Sequence, residues 1–561
     1  MSTDKIKSSE KKRRVLQDHV KIKSTFYPPF LVGMNPPIEE VSWRDDIMPE
    51  LLWIAMLVES CGFKEARDCA YNLSLTLNDL CGEEEKSDWL LTSNLVKLPS
   101  VRLKAVARRF AGTKPLVEIK KALVPMTRLY PSCPFRSIYE ADEIAALTES
   151  EAMKRMAPVL AECLTRRNRL PMLAQAIYYD VSVASGRVCL CEGIPFHNTE
   201  ILVDAPNSAE AQKVGGYIRC MASMIEPMQK QFSLTWPQTF WTESGNIGQC
   251  RPQEVEATYP SSFPQIYLFY LSECFRRYSD SYSRLWNLII LNYPMDLHKP
   301  VRREILLGLL CRMYRLVVQQ ISFPVNWTED IGQIYVRMLV ESYIYYSWLS
   351  KKGTSEDFAK FYEHGLGQQK LYMEHLSNYF QEHGIKEDEC GNIGADFLRN
   401  HKMPMFVPVN VGNPLGKNLR ELAEECECAE IYALLYGPCS SAVHGLYDTL
   451  DNHYLRVCMN PFHGGHRIPY FWYKSPISDF GIANGLSLID WAMEDALQCA
   501  GIGNDIPEKM PGEIFLQELN DEAAFEQFKQ NPSFADAAAS AEDIVRRRAE
   551  EYAQSSHGKA T

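Results

Sequence analysis

The chain has 561 residues, of which 46% are hydrophobic and 23% charged, so it is long enough for two or more domains with sizeable cores. Its formal net charge of −12 argues against sequence-independent nucleic-acid binding over the whole surface, which needs a basic footprint, but leaves a local basic groove open. No apolar run approaches the roughly 18 residues of a membrane span, and the N-terminus lacks the apolar stretch of a secretory signal. The 17 scattered cysteines, without such a signal, predict reduced thiols and a cytoplasmic protein.

A basic segment opens the chain at residues 1–24, where lysine and arginine outnumber acidic side chains. One interpretation is an arm that binds RNA or another anionic partner. The other, which we favour, is a solvated terminus without a binding role.

Helical periodicity dominates residues 25–270, which we predict to form a mainly helical N-terminal domain. Ser42, with Asp45 three residues later, is a capping-box pattern that begins the first clear helix. Residues 181–206 are instead rich in β-branched residues and turn signals, which predicts a small β-hairpin or an irregular insertion. Gly, Pro and Ser concentrate at 240–265, so we place a domain boundary just after that stretch.

Residues 271–510 predict a C-terminal helical bundle, so the expected fold class is mainly α. Apolar residues recur at helical spacing over 303–321, and Thr328 and Ser355 are suitable N-caps for the next two helices. Further helices are predicted from about Lys417 to Leu435, Pro438 to Leu450 and Pro476 to Ala500. The acidic, alanine-rich stretch 511–561 is predicted to be a peripheral tail.

The predicted helix after Thr328 carries an ion pair among apolar residues. Arg337 and Glu341 are four residues apart, the spacing at which side chains meet on one helix face. A charge in such surroundings must be paired or functional. The pair is either a structural tie within the bundle, or Arg337 binds an anion such as a phosphate.

The helix that begins at Pro438 carries a second polar row. Its predicted core stripe consists of Cys439, Ala442, Val443, Leu446, Tyr447 and Leu450. On another face, Ser440, His444 and Asp448 lie four residues apart, close enough for a hydrolytic triad. No oxyanion element or nucleophile elbow accompanies them, which favours a local hydrogen-bond row in which His444 donates to a carboxylate.

A metal interpretation rests on Cys458, His463 and His466, because zinc takes about four Cys and His ligands. An anion-binding loop that includes Arg467 is an alternative, and an ordinary polar loop is favoured over both. The Cys-x-Cys pair at 426–428 lies on a predicted helix, so its side chains face different directions and cannot chelate one ion together. We therefore predict no cofactor, and Cys458, His463 and His466 are weak metal candidates.

Three segments occur in the order YVRMLVESYIYYSWL, FAKFYEHGLGQQKL and GKNLRELAEECECAEIYALLYGPCSSAVHG. Over about residues 285–500 this order resembles a bacterial helical family catalogued as the domain of unknown function five-six-seven-seven. The pattern of that family is an Arg-x-x-x-Glu helix followed by a Tyr…Tyr…Ser…His-Gly segment. The matching positions are Arg337, Glu341, Tyr432, Tyr436, Ser440 or Ser441, His444 and Gly445.

That family is similar, more distantly, to the HEPN superfamily of four-helix domains, many of which are metal-independent ribonucleases that act as toxins or antiphage effectors. Their signature is an Arg, then four to six intervening residues, then a His on one helix, and a dimer completes the site. Gly437, Pro438 and Cys439 occupy the positions that would hold this Arg. The resemblance then implies that Arg337 would bind the scissile phosphate and His444 would transfer the proton of the 2′-hydroxyl.

Two functions remain open from the sequence. The favoured one is an interaction or sensing module with a buried Arg-Glu-His network. The alternative is an HEPN-like endoribonuclease in stress or antiviral defence, with Arg337, Glu341 and His444 as catalytic candidates and Ser440 and Asp448 in support. We further expect that the protein binds RNA or another anionic partner, that it forms a homodimer and that it has no membrane partner.

Overall fold

The computed structural model describes residues 19–23, 25–27, 42–81, 88–187, 198–229, 235–254, 263–385, 407–470 and 476–557. The chain divides into two compact units, which we call unit 1 (Met1–Gln253 with Arg456–Ile468) and unit 2 (Glu254–Leu455 with Pro469–Thr561). Helices predominate, and the described strands form two two-stranded sheets, so the predicted mainly α class is confirmed. The division falls after Gln253, whereas the sequence placed a boundary near residue 270. Residues 188–197 of the predicted insertion and residues 1–18 of the basic arm lie outside the described residues.

The described part of unit 1 begins with an antiparallel hairpin of β1 (Val20–Ile22) and β2 (Thr25–Tyr27). Its helices α1 to α11 span Met48–Cys61, Phe63–Cys81, Thr92–Lys97, Ser100–Arg109, Lys114–Leu129, Ala141–Ala145, Glu149–Cys163, Arg169–Ala184, Ile201–Asp204, Ala209–Gln229 and Trp236–Ser244. Single turns of π- or 3₁₀-helix lie at Trp43–Ile47, Pro134–Ile138 and Pro461–His463.

The core of unit 1 surrounds α1, which packs against α5 and α8. Every residue of α1 from Met48 to Val58 is buried, as expected for a helix that is apolar almost all round. The hydroxyl of Ser42 accepts a hydrogen bond from the backbone N–H of Asp45, which confirms the predicted cap on the turn before α1. Glu50 of α1 is fully buried, and this burial raises the pKa of its carboxyl to about 7.

Unit 2 contains helices α12 to α23, which span Gln265–Asn292, Val301–Ser322, Glu329–Lys352, Ser355–His383, Leu419–Glu425, Ala429–Ile431, Gly437–His444, Tyr447–Thr449, Phe480–Cys499, Pro511–Leu519, Glu522–Lys529 and Pro532–His557. Single turns of π- or 3₁₀-helix lie at Pro324–Trp327, Tyr432–Tyr436, Leu450–Tyr454 and Gly503–Asp505. Strands β3 (Leu455–Val457) and β4 (Arg467–Pro469) pair where the chain leaves and re-enters this unit.

Helix α14 is central to unit 2 and packs against α13, α18 and α20. Thr328 is its N-cap residue, as the sequence predicts, and Thr354 rather than Ser355 caps α15. Helices α14 and α20 approach closely at two glycines, since a Cβ added to Gly481 would lie 2.5 Å from the Cα of Gly332. Only glycine fits at such a crossing.

The C-terminal helices belong to the bundle of unit 2. Phe515 of α21 is 1% exposed, and the hydroxyl of Tyr270 in α12 donates to the carbonyl oxygen of Glu518 at 2.7 Å. The ring of Phe525 in α22 lies 5.2 Å from that of Tyr270. Helices α21 and α22 therefore pack on α12, which differs from the peripheral tail that the composition of 511–561 suggests.

Among the described helices, α13 is long and apolar enough to cross a membrane, by length and composition alone. A core helix of a water-soluble protein meets the same criteria, and 33% of the most apolar window of α13 is buried within the protein. This helix is therefore weak evidence for a membrane span.

We expect Gly481→Ala to lower the free energy of unfolding of unit 2 by about 1–3 kcal/mol, because the new methyl group forces α14 and α20 apart. Gly308→Ala is the matched control, since a Cβ on this glycine of α13 meets nothing within 4 Å and alanine is the better helix former by about 1 kcal/mol. Denaturant unfolding followed by circular dichroism compares the two variants. Equal stabilities would contradict the close crossing.

Candidate functional site

Arg337 of α14 joins the two segments of unit 2 that the sequence singles out. Its Nη1 donates to Glu341 Oε2 at 2.8 Å, within the same helix. Its Nε donates to the Ser440 hydroxyl of α18 at 3.0 Å, and its Nη2 donates to the Tyr436 hydroxyl. The predicted Arg-Glu helix and the serine-histidine helix therefore meet at this guanidinium.

Aromatic stacking completes the surroundings of Arg337. The guanidinium carbon lies 3.2 Å from the centroid of the Tyr436 ring, which itself stacks on Tyr432 at 4.8 Å. Burial is the main cause of the raised pKa of the Tyr436 hydroxyl. The Arg337 side chain is 14% exposed and that of Glu341 is 44% exposed, so the cation is shielded and its carboxylate partner is largely in water.

Ser440 links the guanidinium to the helix backbone. Its hydroxyl accepts from Arg337 and donates to the carbonyl oxygen of Tyr436 at 2.8 Å. Both roles of the hydroxyl are therefore filled by structural contacts. A serine nucleophile needs an adjacent base, and no described histidine is hydrogen-bonded to Ser440.

His444 continues the row of Tyr432, Tyr436 and Ser440 at four-residue spacing, but it is not part of the Arg337 network. Its side chain is exposed in the last turn of α18, and no described residue is hydrogen-bonded to its ring. The partly buried network therefore contains Arg, Glu, Tyr and Ser without the histidine that the sequence led us to include. A catalytic role of His444 stays a prediction.

Gly445 ends α18 and prevents the expected Ser-His-Asp row from continuing as one helix. Its φ of +60° lies in the left-handed region, where glycine terminates helices readily. Asp448 belongs to the separate short helix α19. The regular spacing from Ser440 to Asp448 is therefore interrupted in the middle.

The predicted core stripe of this segment is wrong for four of its six residues. Cys439 is buried, but four other members are exposed to solvent, with exposed fractions of 45% for Val443, 51% for Leu446, 66% for Tyr447 and 39% for Leu450. We call these four residues the apolar face. The break at Gly445 explains why helical spacing did not predict the exposure of Leu446, Tyr447 and Leu450, which follow it, whereas Val443 is exposed within α18 itself.

The segment after the break is fixed to the bundle from its inner side. Thr449 is 4% exposed, and the hydroxyl of Tyr454 donates to the carboxylate of Asp330 in α14 at 2.9 Å. Thr449 and Tyr454 therefore hold this segment so that the apolar face is directed to solvent.

A second cluster lies in unit 1 and contains all three weak metal candidates. The Sγ of Cys250 is 3.3 Å from His463 Nδ1 and 3.3 Å from His466 Nε2. The Sγ of Cys458 is 3.5 Å from His463 Nδ1, and the four side chains place their ligand atoms within 4.8 Å of one another.

Cys250 is the member that the sequence analysis missed. It precedes His463 by 213 residues and lies in a loop rich in Gly, Pro and Ser, with no second cysteine or histidine beside it to signal a ligand. The pair Cys426 and Cys428, which the sequence discounts as a chelate, is buried in the core of unit 2.

One family model matches the chain. The Family of unknown function (DUF5677) matches residues 303–461, which confirms the resemblance predicted for the C-terminal half. The matched span includes Arg337, Ser440 and His444. No curated protein and no solved structure matches this chain.

We expect Arg337→Met to lower the free energy of unfolding of unit 2 by about 1–3 kcal/mol, because it removes the donor to the partly buried Tyr436 and Ser440 hydroxyls. Arg420→Met is the matched control, since Arg420 and Glu424 form the same i,i+4 pair with side chains 70% and 53% exposed, and exposed helix pairs contribute about 0.3–0.5 kcal/mol. Urea denaturation at one pH measures both. A similar small loss in each variant would contradict the structural role of Arg337.

Proposed function

We propose that unit 2 is an interaction module that binds a protein partner through the apolar face. The observation that carries this proposal is the exposure of four large apolar side chains, all between 39% and 66%, within eight consecutive residues. Isolated exposed apolar residues are ordinary, but neighbouring ones mark interaction sites. Tyr447 and Leu450 lie three residues apart after the break at Gly445, the spacing of anchors on one helical surface, and Val443 and Leu446 lie on either side of the break.

The Arg337 network supports this role by holding the segment before the apolar face. Arg337 bonds Ser440 of α18 and stacks on Tyr436, while Tyr454 is tied to Asp330 on the far side of the face. A surface fixed before binding loses little conformational entropy when a partner docks. The network is thus a support for binding and requires no chemistry of its own.

The chemistry of the face favours a protein with an apolar centre and a basic rim. Asp448 is exposed beside Tyr447 and Leu450, and the whole chain carries a net charge of −12. Tyrosine is enriched among the residues that dominate protein–protein binding energy. At this face an RNA backbone or an anionic membrane would be repelled by the carboxylate of Asp448.

To test this proposal, a photo-crosslinking amino acid at position 447 is placed in the full chain in its native cells, with position 420 as control. A discrete adduct at position 447 and not at 420 identifies the partner, whose dissociation constant is then measured by calorimetry.

We expect Leu450→Asp to weaken binding by about 30-fold or more, as for a hot-spot residue. Leu291→Asp, which alters an 80% exposed leucine of α12, should leave binding unchanged. Binding should also weaken as salt rises.

Three results would overturn this proposal. One is the absence of a specific adduct at position 447. Another is equal binding by Leu450→Asp and Leu291→Asp. The last is an adduct with a second copy of the chain, which would make the apolar face a homodimer interface.

A metal-independent endoribonuclease is the second candidate. The observation that favours it is the alignment of Arg337, Ser440 and His444, since the histidine lies one helical turn beyond the serine that Arg337 contacts. Arginine and histidine are the residue types for phosphate binding and proton transfer. RNA turnover by the purified protein that His444→Ala abolishes without changing the melting temperature would establish this function over the interaction module.

A further inference from the structure

The distances in the cluster of unit 1 match those expected around a tetrahedral zinc ion. Zn–S bonds of about 2.3 Å and Zn–N bonds of about 2.0 Å at tetrahedral angles place a sulfur and a nitrogen roughly 3.5 Å apart. The three sulfur–nitrogen distances given above are 3.3, 3.3 and 3.5 Å. Two thiolates and two neutral imidazoles also balance the charge of a divalent ion.

The two ligand loops are positioned by bonds that do not involve the cluster. The backbone N–H of Met459 donates to the carbonyl of Arg251 at 2.7 Å, and that of Gln253 donates to Val457 at 2.9 Å. The side chain of Asn460 donates to the carbonyl of Ile247 at 2.9 Å. The loops that carry Cys250 and Cys458 are therefore held side by side, as a preformed site requires.

The turn between the two histidines is equally constrained. Gly464 has a φ of +61°, and a Cβ at this position would lie 2.7 Å from the Trp241 ring. Its carbonyl accepts a hydrogen bond from Arg44 at 3.2 Å, while Phe462 is 1% exposed in the core of unit 1. This tight turn directs His463 and His466 toward the same two cysteines.

We infer that Cys250, Cys458, His463 and His466 bind one structural zinc ion, which joins the segment Arg456–Ile468 to the rest of unit 1. A Cys₂His₂ set in tetrahedral arrangement suits zinc, and four protein ligands leave no position open for substrate, as is typical of structural sites. The long separation of Cys250 from the other ligands differs from a zinc finger. The ion instead closes a chain loop that passes through unit 2.

Metal analysis of the full chain, expressed with zinc in the medium and purified without chelator, tests this inference. We expect one zinc per chain in the wild type. Cys250→Ser and His466→Ala, which change exposed ligands, should weaken zinc binding by about 100-fold or more, because losing a group that merely orients a ligand already costs roughly 10–100-fold. Cys220→Ser, at an exposed cysteine of α10, is the control and should keep its zinc.

Two measurements on the wild type keep the inference testable if the variants fold poorly. Replacement of zinc by Co²⁺ should give the visible absorption of a tetrahedral site with thiolate ligands. Chelation should make Cys250 and Cys458 react with an alkylating reagent, and added zinc should protect both again. A wild-type chain that binds no zinc in a competition titration, a Cys250→Ser variant with full zinc content, or a Cys250–Cys458 disulfide in the purified protein would overturn the site.

Discussion

The guanidinium of Arg337 is the interaction on which the candidate region of unit 2 depends. Its removal from water is costly unless its N–H groups find partners, and Glu341, Ser440 and Tyr436 each accept a hydrogen bond from one of its three nitrogens. Because Glu341 is largely exposed, Coulomb attraction to its carboxylate contributes modestly. The rest of the stabilisation comes from the hydrogen bonds that the planar guanidinium directs to separate acceptors and from its stack on Tyr436. A lysine could reproduce neither.

The Arg337 network lies in unit 2 and the cysteine-histidine cluster lies in unit 1, and the family match covers the first site but only part of the second. Residues 303–461 contain Arg337 and the residues it contacts, but only Cys458 among the four clustered ligands. The matched span also crosses from unit 2 into unit 1 at Arg456. The Arg337 network therefore lies wholly within the family-like region, whereas the cysteine-histidine cluster needs a loop from the N-terminal half of the chain.

Much of the fold follows from local patterns, because helix periodicity and caps are encoded within a few residues. The start of α14 after Thr328 could be predicted in this way. The proximity of Arg337 to the helix of Ser440, 103 residues later, was implied only by the family resemblance. Periodicity defines an apolar face but does not say what covers it, so Leu450 was expected in the core and is 39% exposed. Cys250 could not be predicted as a cluster member because no local pattern connects residues 213 positions apart.

The structure also indicates which of its contacts Arg337 would give up most readily in order to bind a phosphate. A phosphate takes two parallel N–H groups of an arginine, and those groups are engaged by Ser440, Tyr436 and Glu341. The serine and the tyrosine are partly buried, so their hydroxyls would lose the N–H groups that they accept from if Arg337 moved. Glu341 is 44% exposed and regains water at little cost when it leaves. The departure of Glu341 alone, with the stack on Tyr436 intact, is therefore the least costly route by which this network could accept an anion.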